Sequence, residues 1–90
     1  MSTAHKFKLE IWNGTGDFSL WRQKMRAILL QQRCVAALNG QWAAETSAYR
    51  RQELDDTAWS SIFLHLSDNV IRKVGETTSA QALWTKLEAL

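Results

Sequence analysis

Ninety residues make one domain with little to spare, since a chain of this length buries only about 60–65% of the surface that its unfolded form exposes. Five tryptophans answer part of that shortage, because each can bury roughly 150–250 Å². A net charge of +2 is too small to argue for nucleic acid by itself, one cysteine leaves no internal disulfide or cysteine-based zinc site, and no apolar run nears a membrane span.

Residues 1–6 read as a frayed, polar start with none of the features of a signal peptide, so the expected setting is cytoplasmic and reducing. Phe7, Leu9 and Ile11 then alternate with Lys8 and Glu10, a two-residue period that predicts a short extended arm. Trp12 follows, and residues 13–16 (Asn-Gly-Thr-Gly) make a turn. A lone strand needs partners for its backbone groups. The arm must therefore lie against the helices or pair with the same segment of another copy.

Asp17 or Ser19 can cap a first helix. Phe18, Trp21, Met25, Ile28, Leu29 and Gln32 keep a three-and-four spacing along it, one apolar stripe, with Arg22, Gln23, Lys24 and Arg26 on the other faces. Residues 33–38 predict a second short helix, closed by Asn39-Gly40 in a left-handed cap. Trp42 stands in the connection that follows. A long central helix is predicted over about residues 49–66, with Leu54, Ala58, Ile62 and Leu66 in one row and Trp59 and Phe63 beside it. Ser67-Asp68-Asn69 starts a short helix through Val70, Ile71 and Val74 that ends at Gly75. Thr78 with Gln81 has the form of a capping box, and Ala80, Leu83, Trp84, Leu87 and Leu90 complete a last amphipathic helix. The fold expected is all-α: an irregular bundle of four to five helices with a short extended N-terminal arm, one domain over 1–90. Ending on an apolar residue, the chain reads as a piece of something longer.

The residue types of an active site do not assemble in this pattern. The four glycines are too scattered for a phosphate loop, and His65 with Asp68 supplies two of the three ligands a metal would need. Asp55 and Asp56 are neighbours on a helix and point in different directions, which argues against a shared proton. Cys34, in an Arg-Cys-Val-Ala-Ala context, reads as a small core residue. No catalytic residue, cofactor, metal or small-molecule substrate is expected. Arg22, Arg26 and Arg33 with Lys24 could line a phosphate-binding face, but Phe18 and Trp21 belong to the core stripe and not to a base-stacking platform. The basic first third and the acidic middle (Glu45, Glu53, Asp55, Asp56) are solvated faces, or unlike faces that meet when copies pack.

Three tryptophan-centred blocks resemble a known family. Residues 18–25 (Phe-Ser-Leu-Trp-Arg-Gln-Lys-Met) followed by Leu29-Leu30-Gln31-Gln32 resemble the N-terminal signature of copia-type LTR retrotransposon Gag proteins. Residues 54–62 with Leu64-His65-Leu66-Ser67-Asp68 are similar to that family's acidic stretch ending in Leu-x-Leu-Ser-Asp, and residues 78–84 with Leu87-Glu88 resemble its closing Thr-Ala…Trp…Leu-Glu block. Together with the arm, the resemblance covers about residues 7–90. Trp12 stands where the family more often has Phe, and the linker around Trp42 is short for it.

The resemblance implies the N-terminal lobe of a Gag capsid region. Such a lobe packs with other copies into the shell of a virus-like particle in the cytoplasm. It encloses element RNA gripped mainly by other parts of Gag, has no membrane partner, and is no enzyme. The runner-up it leaves open is a host-domesticated Gag-derived module with a heterologous partner. The residues expected to contact another copy are Phe7, Leu9, Ile11 and Trp12 on the arm and Trp42 in the linker. The expected core comprises Phe18, Trp21, Met25, Ile28, Leu29, Leu54, Ala58, Trp59, Ile62, Leu66, Leu83, Trp84 and Leu87.

Overall fold

A computed structural model describes residues 9–90; the expectation placed on Phe7 lies outside them. Four α-helices, α1 (Phe18–Gln31), α2 (Ala48–Phe63), α3 (Asp68–Val74) and α4 (Ala80–Glu88), are joined by a one-turn 3-10 helix at Val35–Leu38. They form a slab of 39 × 37 × 19 Å, about two helix diameters thick. The fold is all-α with a short N-terminal arm.

Each helix start has a side-chain acceptor for an orphan backbone donor. Asp17 takes the Leu20 N–H, Ser47 that of Arg50, Ser67 that of Val70 and Ser79 that of Ala82. Asp17 is therefore the α1 cap, and Ser19 lies inside the helix. The capping box expected at Thr78 and Gln81 does not form, since the cap lies one residue on and Ala82 has no side-chain acceptor to complete a box. Ser79 is the cap, and the free Ala80 N–H finds Asp55 Oδ1 on α2 at 3.1 Å. Two of the orphan donors at the α4 start are thus met, one of them by a carboxylate 25 positions earlier in sequence.

The first helix ends without glycine. Arg33 takes φ 61°, its N–H donating to the Leu30 carbonyl, while the Cys34 N–H donates to that of Leu29. That pair of bonds is a Schellman cap, and it brings Cys34 down onto Leu29, both fully buried. The second helix expected from residue 33 shortens to Val35–Leu38 because Arg33 belongs to this cap. Gln32 caps α1 and is exposed, so it leaves the apolar stripe. The central helix ends at Phe63 instead of Leu66, since residues 64–66 turn to meet the arm. The last ends at Glu88 and leaves Leu90 exposed.

The core contains Trp21, Met25, Ile28, Leu29, Ala58, Ile62, Leu66, Leu83, Trp84 and Leu87, joined by Cys34, Ala37, Val70, Val74 and Ala80. Phe18, Leu54 and Trp59 are half-buried against it. The arm completes the packing. Trp12 N–H donates to the His65 carbonyl (2.7 Å), and the Trp12 carbonyl accepts from Ser67 N–H (2.9 Å), a single parallel bridge to the segment that follows α2.

Candidate functional site

The arm, the exposed side of α1 and the exposed side of α2 hold the features left after the core is built. Trp12 is half-buried, its ring 5.2 Å from Phe18 and 6.3 Å from Trp21, centroid to centroid. Trp21 in turn stacks near Trp84 at 6.4 Å and sends its indole N–H to the Glu10 carbonyl at 3.0 Å. The arm is therefore held by two backbone bonds, one indole bond and an aromatic row. Indole rings suit this position, since their faces pack while the N–H still finds an acceptor.

Between arm and α1 lies a cleft of about 440 Å³, walled by Leu9, Ile11, Trp12, Leu20, Trp21 and Lys24, among others. Leu9, Ile11 and Trp12 are thus brought together, with Leu9 and Trp12 half-buried and Ile11 exposed. Trp42 does not line this cleft; it is half-buried against the core. A second, shallower groove of about 490 Å³ is lined by Trp59, Phe63, Ile71, Gly75, Glu76, Thr77 and Thr78. There Trp59 and Phe63 stack at 4.6 Å, and the Trp59 N–H donates to the Thr77 hydroxyl.

Sequence reasoning placed Lys24 on a polar helix face that could line a phosphate-binding surface, and put Leu20, Leu30, Tyr49 and Leu64, all large and exposed, in neither the core nor the contact set. The signal that could have found them is the same periodicity that found the core, read on its opposite side.

Several titratable side chains are fixed by their neighbours. His65 Nδ1 lies 2.6 Å from the Ser61 carbonyl; a carbonyl only accepts, so this nitrogen carries the proton. Arg22 pairs with Glu88 (2.6 Å) and lies over the Trp84 ring, which ties α1 to the end of α4. Burial pushes the Cys34 thiol above its ordinary value of 9.0, its own backbone hydrogen bond opposing in part, which keeps it a neutral core group. Among the described residues, no three of His, Cys, Asp and Glu come together where they could hold a metal. No described helix is long and apolar enough to cross a membrane.

The chain is 34% identical over 87 residues to the retrovirus-related Pol polyprotein from transposon TNT 1-94 of Nicotiana tabacum, a match that covers 94% of this chain. It belongs with the copia-type retrotransposon polyproteins, in their Gag-like N-terminal region. The matched stretch is 7% of that polyprotein's length and lies outside its enzymatic part. No family model and no solved structure matches the chain.

Proposed function

We propose that this copia-type domain is a structural Gag module that associates with further copies of itself to build the shell of a cytoplasmic retrotransposon particle around element RNA. It does so without catalysis, and the RNA is gripped mainly elsewhere in Gag. The observation that carries the reading is the match of nearly the whole chain to a polyprotein segment that precedes the enzymes. The surface supports it. Among the described residues Ile11 and Leu20 stand exposed along one cleft, and Leu30, Tyr49 and Leu64 are exposed on the helices; exposed apolar groups mark a contact where they are contiguous.

Within the arm, Trp12 gives its ring and both backbone groups to its own bundle. Ile11, exposed beside Leu20 at the mouth of the cleft, is the part of the arm turned outward. Trp42 is proposed as a secondary contact through its open edge. Sedimentation equilibrium over a concentration series tests the reading. Association that grows with concentration is expected, because isolated shell modules bind weakly and gain strength from multiplicity. A chain that remains monomeric up to about millimolar concentration, where even a weak contact worth roughly 4 kcal/mol would show, removes it.

A further inference from the structure

The outer sides of α1 and α2 carry matched patterns of opposite charge. On α1 the residues facing away from the core are Leu20, Gln23, Ala27 and Leu30, at spacings of three, four and three. Leu20 is 48% and Leu30 57% exposed. Lys24 and Arg26 flank this stripe, both exposed and, among the described residues, in no ion pair. The helix itself contains no carboxylate. Ala27 in the middle leaves room for a partner to approach closely.

On α2 the corresponding stripe is Tyr49, Glu53, Asp56, Ser60 and Leu64. Tyr49 is 76% and Leu64 71% exposed, so large apolar groups again stand at the two ends; the charge lies between them, on Glu53 and Asp56, whereas on α1 it flanks the stripe. Here the charge is acidic. The one base on that side, Arg50, is held on Glu53 at 3.2 Å, and Glu76 adds a further carboxylate in the neighbouring groove beside Phe63.

We infer that the outer face of α1 in one copy docks on the outer face of α2 in the next, Lys24 and Arg26 meeting Glu53 and Asp56 while the flanking apolar residues close the contact. The inference rests on the self-association reading and specifies its surface. A contact between two different faces is heterologous. It leaves one free face of each kind at the ends, and so it propagates into a ring or an open array instead of stopping at a dimer. Basic and acidic patches also repel their own kind, which fixes the pairing of unlike faces and makes the association sensitive to salt.

Charge reversal tests this. The K24E/R26E chain and the E53K/D56K chain change only exposed positions, and circular dichroism shows whether each keeps the wild-type helix content. By sedimentation, each alone should associate about ten-fold or more weakly than wild type, since two attractions become two repulsions. An equimolar mixture of the two should recover association, because every face then has an opposite partner. If wild type associates and both reversed chains do so equally well, self-association stands and this surface is wrong. If K24E/R26E loses affinity for a labelled oligouridine while its association is unchanged, the basic face serves nucleic acid and the inference falls. A monomeric wild type at every concentration removes both the self-association reading and this contact.

Discussion

The aromatic cluster beneath the arm and the aromatic pair on α2 differ in what surrounds them. Trp21 and Trp84 are 5% exposed, Trp21 packed against Trp12 and Phe18 and Trp84 covered by the Arg22 guanidinium. Trp59 and Phe63 stack more closely than any of these, yet both stay half-exposed along an open groove. Stacking distance is therefore a poor guide to what an aromatic contributes here. The enclosed cluster joins the arm and α1 to α4, which is distant from both in sequence, whereas the open pair sits within one helix. A domain this small must bury its large residues to stand at all, and the enclosed cluster is where that burial happens. The open pair can be altered with less loss of fold, which frees its side of the molecule for contact.

The largest expected effect is on the enclosed side. Trp84→Ala or Trp21→Ala should cost about 3–5 kcal/mol, enough to unfold the chain at room temperature. Loss of the far-ultraviolet helix signal is the readout, and a folded Trp84→Ala would break the comparison. Trp59→Ala removes half-buried area and one indole hydrogen bond, and should cost about 2 kcal/mol in urea melts. A cost equal to that of Trp84→Ala would erase the distinction between the two regions.

Asp55→Ala tests how the regions are coupled, since this carboxylate on α2 takes the first free N–H of α4. About 1–2 kcal/mol should be lost, with amide exchange faster in the first turn of α4 than in α1. A smaller effect of opposite sign is expected at Arg33, whose φ of 61° suits glycine. Arg33→Gly should add up to about 1 kcal/mol of stability, read as a raised melting midpoint. Alkaline pH provides the mildest probe. With the folded thiol of Cys34 raised, its burial contributes fully below pH 9.0, the unfolded value, and stability falls as pH rises through 9.0 toward the folded value. Cys34→Ala should flatten that part of the pH–stability curve.

Much of the fold was legible because periodicity carries burial directly. The stripe through Trp21, Met25, Ile28 and Leu29 and that through Leu83, Trp84 and Leu87 are read off spacing, and the structure buries both. Three features were not legible, each for a physical reason. The end of α1 hides because its left-handed cap is an arginine, where spacing rules look for glycine. The acceptor for Ala80 hides because it comes from another helix, and local pattern cannot report a partner 25 residues away. The arm's bridge to residues 65–67 is backbone to backbone and leaves no mark on residue type. Of the candidate contact surface, the arm was visible through its two-residue alternation. The outer faces of α1 and α2 were overlooked because an apolar residue outside the main stripe, such as Leu30 or Leu64, is single and unremarkable until its neighbours on the helix are known.

If inward aromatics hold the fold while the outer faces of α1 and α2 hold neighbouring copies, the two sets of residues respond differently to concentration. Backbone amide shifts followed by NMR as concentration is raised separate them most directly. Leu20, Lys24, Ala27 and Leu30 should move together with Tyr49, Glu53, Asp56 and Leu64, while Met25, Leu29, Ile62 and Leu83 hold still. Shifts on only one of the two faces, or confined to the arm, or absent up to millimolar concentration, would contradict this division of roles.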